Sequence, residues 1–295
     1  MPLSSLNIPF ALSIGPQRAG TTWIYRYLAS RGDICLPEEV KEIFFFDRNY
    51  DRGHSFYKDH FKPKKQHQIA MEVTATSFDH PQAPKRVFET CHEHVRFICP
   101  IRHPVIRTYS LYLHYLRYGL ASGTLQEACE QVPQILESSR YAKHLERWYE
   151  YFKPEQIKFI YQEQLEKDQF LFVKNLCEGL GIPFLEPEEE VQGRYNITTY
   201  SKFSPVARAA QHAADWMRDR QLYSVINVAK RLGIKRIIFG KERPDASKTN
   251  IPDAERHWLL EQLEGEVDAF QKLTGEDLKH WSVIEDGYKA LDNAA

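Results

Sequence analysis

Residues 13–28 read SIGPQRAGTTWIYRYL, and they join two kinds of segment. Upstream, IPFALSIG is a short apolar run with the composition of a parallel strand buried on both faces. Downstream, GTTWIYRYLASR repeats its large apolar residues at Trp23, Tyr27 and Leu28, the spacing of one helical face. Between them lie Gly15 and Gly20. A glycine turn from strand into helix presents consecutive backbone N–H groups to an anion at the positive end of the helix. Thr21 and Thr22 add hydroxyl donors. In a triphosphate-binding loop, G-x-x-x-x-G-K-[ST], a lysine follows the second glycine. Thr21 stands in that place here, and the cation is Arg18. Such a loop can grip one phosphate group without the usual triphosphate clamp. The plainer alternative is an ordinary strand-to-helix turn with incidental threonines.

Outward from this loop the pattern repeats. QIAMEVTA (68–75) predicts a strand, PQAPKRVFETCHE a proline-started helix, and VRFICPI (95–101) a further strand. HPVIRTYSLYLHYLRYG predicts a helix stopped by Gly119, YAKHLERWYEYF an amphipathic helix, IKFIYQEQL a strand, and FLFVKNLCEGLGI a helix ending at glycine. Strands alternating with helices imply an α/β, three-layer, P-loop-like fold whose central parallel sheet carries helices on both faces. The stretch DAERHWLLEQLEGEVDAFQKLTG predicts one long terminal helix. Between about 195 and 252 the chain turns basic and irregular, which suggests a lid or substrate-facing insertion; a pair of solvated surface helices is the alternative.

The 295 residues, 42% of them hydrophobic, suffice for a single domain spanning 1–295. Thirty-nine basic residues almost balance forty acidic ones, so no global field favours nucleic acid or an anionic membrane surface. Five cysteines show neither a CxxC pair nor metal-ligand spacing, which leads us to expect reduced thiols and a cytoplasmic protein. MPLSSLNIPFALSIG has no basic leader region and too short an apolar part to span a bilayer. Its reading is a first strand, and the expectation is no membrane partner. Oligomeric state is not readable from these features.

Arg102 lies where the strand VRFICPI leaves the sheet, and Ser110 follows eight residues later on the next helix. Ligands of open α/β sheets bind at the carboxyl ends of the strands, so Arg102 can reach the crevice of the glycine loop. A magnesium-binding strand would end there in an acidic residue. Two anion sites without a metal site suggest a nucleotide carrying two separate phosphates, and no metal is expected.

These residues resemble the sulfotransferases that use 3'-phosphoadenosine 5'-phosphosulfate (PAPS). GPQRAGTTW is similar to their 5'-phosphosulfate loop, and R-x-P-x-x-R-x-x-S from Arg102 to Ser110 to their 3'-phosphate motif. PEEVKEIFFFDRNYDRGHSFYKDHF (37–61) is similar to a segment of heparan-type members in which a glutamate precedes paired phenylalanines. The resemblance implies donor binding by Arg18, Ala19, Gly20, Thr21, Thr22, Trp23, Arg102 and Ser110, and it carries the catalytic base onto Glu42. Tyr141 stands where the family often has a nucleotide-neighbouring tyrosine, with Arg140 beside it. Lys241, Arg243 or Lys248 could close over the nucleotide. The lysine that many heparan-type members carry after an acidic residue at this point is replaced by Val73, following Glu72.

The chemistry suits these residue types. Sulfuryl transfer from a phosphate to an acceptor oxygen or nitrogen needs positioning and charge stabilisation, as phosphoryl transfer does. Arg18 and the loop donors can stabilise charge on the leaving phosphate, and Glu42 can take the acceptor's proton. Alone, Glu42 in the charge run PEEVKE reads as a solvated side chain, and Lys41 likewise; the alternative for Lys41 is that it tunes the charge of Glu42 or touches the sulfuryl oxygens. His54, His80 and His103 are further candidate bases. Trp23, Phe44, Phe45 and Phe46 read as core or adenine-facing packing. The resemblance leads us to expect PAPS as donor, adenosine 3',5'-bisphosphate (PAP) as product, and a hydroxyl- or amine-bearing acceptor, with a lean to carbohydrate. The rivals are a P-loop kinase using ATP and magnesium and a non-catalytic PAP-binding module.

Overall fold

The computed structural model describes residues 6–192 and 251–281, together with positions 213, 216, 217, 220 and 225. The predicted insertion at about 195–252, with Lys241, Arg243 and Lys248, lies almost wholly outside the described residues.

Five parallel strands form one sheet: β1 (Phe10–Ser13), β2 (Ile34–Cys35), β3 (Ile69–Val73), β4 (Val95–Ile101) and β5 (Ile157–Tyr161), in the order β2-β3-β1-β4-β5. β1 lies centrally, with Phe10 opposite Ala70 of β3 on one side and Val95 of β4 on the other. The two-residue β2 is too short to have shown as a strand in the sequence pattern.

Helices cover both faces, as a parallel sheet requires. The strand period of two sorts the residues between them. On one face Ala11, Met71, Val73, Ile98 and Ile160 pack against Ile24 and Leu28 of α1 (Thr21–Arg31) and against Phe172, Val173 and Leu176 of α9 (Gln169–Leu180). On the other, Leu12, Ala70, Phe97, Cys99 and Phe159 meet Val87 of α3 (Ala83–Cys91) and Leu145 and Trp148 of α7 (Tyr141–Tyr149). A third cluster joins Val105, Tyr109 and Leu113 of α4 (Pro104–Arg117) to Leu125 and Ala128 of α5 (Leu125–Gln131) and to Leu259 and Leu263. The C-terminal segment therefore props the helix that carries Ser110. Between α5 and α7 lies the single-turn α6 (Gln134–Glu137), and α2 (Gly53–Lys58) precedes β3.

Two sequence expectations are corrected. The strand predicted over IKFIYQEQL stops at Tyr161, and Gln162–Lys167 forms helix α8. Ile157, Phe159 and Ile160 suit a strand, whereas QEQLEK consists of strong helix formers. The single terminal helix is two, Asp253–Gln262 and Glu266–Thr274, separated where Gly265 takes a left-handed backbone at φ 74°. All five cysteines are buried and free of disulfides.

Candidate functional site

The loop after β1 is shaped by backbone demands. Gly15 has φ 91°, and a Cβ there would sit 2.5 Å from the Ala75 carbonyl oxygen. No other residue fits so close to the exit of β3. Gly20, also left-handed, precedes α1 without supplying a side-chain cap, and the first turn of α1 holds no acidic residue. The helix therefore presents its positive end without a carboxylate of its own beside it. Thr21 is buried there, and Thr22 is half-buried beside it.

Arg18 adopts φ 70° and donates from Nε to Ser110 Oγ at 3.0 Å, which ties the loop to α4. Burial first, and then the like charge of Arg102, lower its pKa to about 10; Arg117 and Arg107 push the same way and Tyr118 opposes them. Arg18 is still cationic at neutral pH. Mutual repulsion among four arginines opposes their assembly, and a bound anion would relieve it. Arg107 is itself buried, donating to Ser139 Oγ at 2.6 Å and to the Ile135 carbonyl at 3.0 Å.

Arg102 follows β4 directly. Its carbonyl accepts a 2.7 Å hydrogen bond from the Tyr141 hydroxyl, and the next amide, His103 N–H, donates to Glu163 of α8 at 2.8 Å. These two contacts fix the strand exit. The guanidinium lies 3.9 Å from Glu166, also on α8.

Residues 41–49 form the third wall. Glu72 of β3 is 1% exposed, and its carboxylate accepts from Ile43 N–H and from the Tyr57 hydroxyl, each at 2.8 Å. Burial pushes its pKa up to about 7, with Asp47 and Glu42 adding to the rise and the two hydrogen bonds opposing it. Phe45 stacks on Tyr57 at 4.5 Å. Phe45 and Phe46 are both buried, worth roughly 1.5–3 kcal/mol each. Arg86 donates to the Phe46 carbonyl at 2.8 Å, and Asn49 to the Ile43 carbonyl at 2.9 Å. The loop so pinned holds Lys41 and Glu42 over the start of α1. Lys41 Nζ lies 2.5 Å from Glu42 Oε1 and 3.3 Å from Thr21 Oγ1.

The structure thus gathers Arg18, Ser110 and Arg102 on one side of the loop, and Thr21, Lys41 and Glu42 on the other. Ala19 is buried and can offer only backbone. Trp23 is 4% exposed and stacks on Tyr27 at 5.8 Å, within the core beneath α1. Tyr141 is 1% exposed and reaches the site through the Arg102 carbonyl. Arg140 is held by Glu137 at 2.9 Å and by Glu266 at 3.3 Å, away from these groups in its pairing. His103 is buried against Trp281, and His54 packs on Phe45.

Three features were missed or misread in the sequence. Lys41, taken as a solvated lysine, has only 23% of its side chain exposed. Arg117 falls seven residues after Ser110, two helical turns along the same face, and that spacing could have marked it. A cavity of about 260 Å³ opens between Gln17 of the loop, Asp47, the residues after β3, and α4. A larger open groove of about 830 Å³ lies at the N-terminal ends of β4 and β5, lined by Arg96 and Lys158; strand-end chemistry does not reach it. Among the described residues, no group of three or more His, Cys, Asp or Glu side chains is placed to hold a metal, and no helix is long and apolar enough to cross a membrane.

Residues 11–219 match the family model described as the sulfotransferase domain. The chain is 26% identical over 216 residues to bifunctional heparan sulfate N-deacetylase/N-sulfotransferase 1 of Caenorhabditis elegans, covering 68% of this chain and 24% of that protein. It is 30% identical over 173 residues to human heparan sulfate glucosamine 3-O-sulfotransferase 3B1, covering 56% and 44%. The chain spans about a quarter of the length of the first of these relatives. A sulfotransferase from Alicyclobacillus acidocaldarius shares the fold at a TM-score of 0.54 and 22% identity, over 74% of this chain and 96% of that one.

Proposed function

The chain belongs to the sulfotransferase domain family, and from that premise we propose that it transfers a sulfuryl group from PAPS to a hydroxyl or amine, with a carbohydrate as the favoured acceptor class. The observation that carries this reading is the meeting of Arg18, Ser110 and Arg102 on one side of the glycine loop with Thr21, Lys41 and Glu42 on the other.

The residues fit such a donor. The uncapped start of α1, free of acidic residues, suits a 5'-phosphosulfate, and Arg102 with Ser110 suits a 3'-phosphate. PAPS supplies the sulfuryl group and a phosphate leaving group. Arg18 and the first N–H groups of α1 supply fixed positive potential where charge collects on that leaving oxygen. In this reading Glu42 accepts the acceptor's proton. Lys41 bridges Glu42 and Thr21, so it orients the carboxylate toward the loop and balances its charge. Glu72 acts one step back, by holding the amide of Ile43. A cytoplasmic setting forms part of the same proposal, supported by five buried cysteines without a disulfide.

The test is thermal unfolding with PAP, with ATP plus magnesium, and with neither, followed by incubation with labelled PAPS and an acceptor panel. A ligand that binds only the folded state raises the midpoint by mass action. A rise with PAP and label transfer lost in Glu42→Gln support the proposal. A rise with ATP and magnesium alone sinks it, and a rise with PAP but no label transfer by the wild type to any acceptor points to a PAP-binding module.

A further inference from the structure

The cavity of about 260 Å³ beside the glycine loop has an unusual lining for a site that handles anions. Asp47 has 5% of its side chain exposed. One of its carboxylate oxygens accepts from the Thr76 hydroxyl at 2.6 Å; the other, Oδ1, is buried with no hydrogen-bond partner among the described residues. A buried acceptor left so costs roughly 1–3 kcal/mol, more when charged, unless a ligand or water supplies a donor. Asp79 forms part of the same wall and holds Gln134. Burial raises its pKa to about 6, so it remains mainly a carboxylate at neutral pH. Of the positive groups at the rim, His80 has its pKa lowered by burial. Arg48 Nε lies 3.6 Å from Asp47 Oδ2, the oxygen that already accepts from Thr76, with 56% of its side chain in solvent; Oδ1 keeps no donor among the described residues.

The position of the cavity gives it a role. Gln17 belongs to the phosphate loop itself, and Asp47 lies on the segment that carries Glu42. Thr76 follows the β3 exit that abuts Gly15. A molecule in this cavity would therefore touch the loop at Gln17.

We infer that this cavity seats the acceptor, and that its two carboxylates select a small neutral or cationic molecule, rich in hydroxyl or amine donors, over an anionic sugar. The inference rests on the sulfotransferase reading for the word acceptor, but its charge preference does not. An ammonium or hydroxyl donates to Asp47 Oδ1, whereas a carboxylate or sulfate has no proton to offer it and lies beside the carboxyl of Asp79. The volume lies below the roughly 300–1,000 Å³ usual for drug-sized ligands, so it takes one small unit. A polyanionic chain would have to leave its charges outside.

The experiment compares D-glucosamine with D-glucuronate at equal concentration, as shifts of the unfolding midpoint, in the intact chain and in Asp47→Asn and Asp79→Asn. Each is run with saturating PAP and without nucleotide. Glucosamine should raise the wild-type midpoint and glucuronate should not. The apparent glucosamine affinity should fall about ten-fold or more in Asp47→Asn, as expected for a lost bond to a charged group. Unliganded midpoints report whether each variant folds, and Asp79→Asn carries the test if Asp47→Asn does not. An equal or larger shift with glucuronate, no shift with glucosamine, or an unchanged response in the folded variants overturns the inference. PAP alone giving no shift removes the donor reading, and the nucleotide-free comparison then still judges the cavity.

Discussion

Replacing Glu72 with glutamine should flatten the pH dependence of stability. The carboxyl is buried in β3, accepts two hydrogen bonds, and has its pKa pushed up to about 7, first by burial and then by Asp47 and Glu42. In the unfolded chain it titrates near 4.5. Below that value both states hold the proton and Glu72 has no effect. Between there and about 7 the folded chain keeps a proton that the unfolded chain has released, so stability falls as pH rises. Above that window both states are ionised and the full cost stands, about 3 kcal/mol on the displacement from 4.5 to about 7. Glutamine is neutral throughout and keeps a carbonyl for Ile43 N–H; the Tyr57 hydroxyl can rotate to accept from its amide. Urea unfolding of both proteins from pH 5 to pH 8 should show the variant gaining about 2–3 kcal/mol on the wild type across that interval. Asp79, raised from 3.8 to about 6, titrates in the same window, but it is present in both proteins and cancels in the difference. Parallel profiles, agreeing within about 0.5 kcal/mol, would refute the placement of an ionisable carboxyl in a dry pocket.

Four further outcomes are expected. Glu42→Gln should lower the rate of sulfuryl transfer by roughly 10²–10⁴-fold with PAP affinity retained, measured by label transfer and by the PAP-induced midpoint shift; normal turnover would remove Glu42 as base. Arg102→Ala should weaken PAP by about 1.5–3 kcal/mol, or roughly 10- to 150-fold, in calorimetric titration, and an undiminished affinity would remove it from the 3'-phosphate. Gly15→Ala should destabilise the chain by at least about 1–2 kcal/mol from the left-handed backbone alone, with the contact to Ala75 O adding to it; an unchanged midpoint would contradict the loop geometry. Lys41→Ala should lower turnover more than it weakens PAP in steady-state kinetics, since its nitrogen meets Glu42 and Thr21; equal losses in both would make it a simple phosphate contact.

The parts of the molecule that sequence could show are those set by local rules. β1, β3 and β4 read as apolar runs because both faces of a parallel sheet are covered, and glycine marked the loop because only glycine tolerates the backbone at residue 15. The misread parts depend on competition between neighbours or on contacts far along the chain. IKFIYQEQL changes from strand to helix between Tyr161 and Gln162 with no glycine or proline to mark the change. The periodicity of Leu259, Leu263 and Phe270 runs on through a break that Gly265 alone signals. That misreading of α8 had a cost for the site, because Glu163 and Glu166, which hold the exit of β4, stand on it.

Glu42 shows why a catalytic side chain can look ordinary in sequence. PEEVKE has every mark of a solvated charge run, and nothing within it distinguishes the glutamate at 42 from those at 38 and 39, which are exposed. What singles it out is the next residue: the amide of Ile43 is bound by a carboxyl 29 positions away, and Phe45 and Phe46 beyond it are buried against Tyr57. Glu72 opposes folding at neutral pH through its desolvation, so a neutral side chain would serve stability better. A buried carboxyl that costs stability and holds the amide beside Glu42 at 2.8 Å argues for a role in positioning that base. The comparison of Glu72→Gln with Glu72→Ala separates the two effects: glutamine should keep turnover while relieving the pH penalty, and alanine should relieve the penalty but lose turnover as residues 41–43 come adrift.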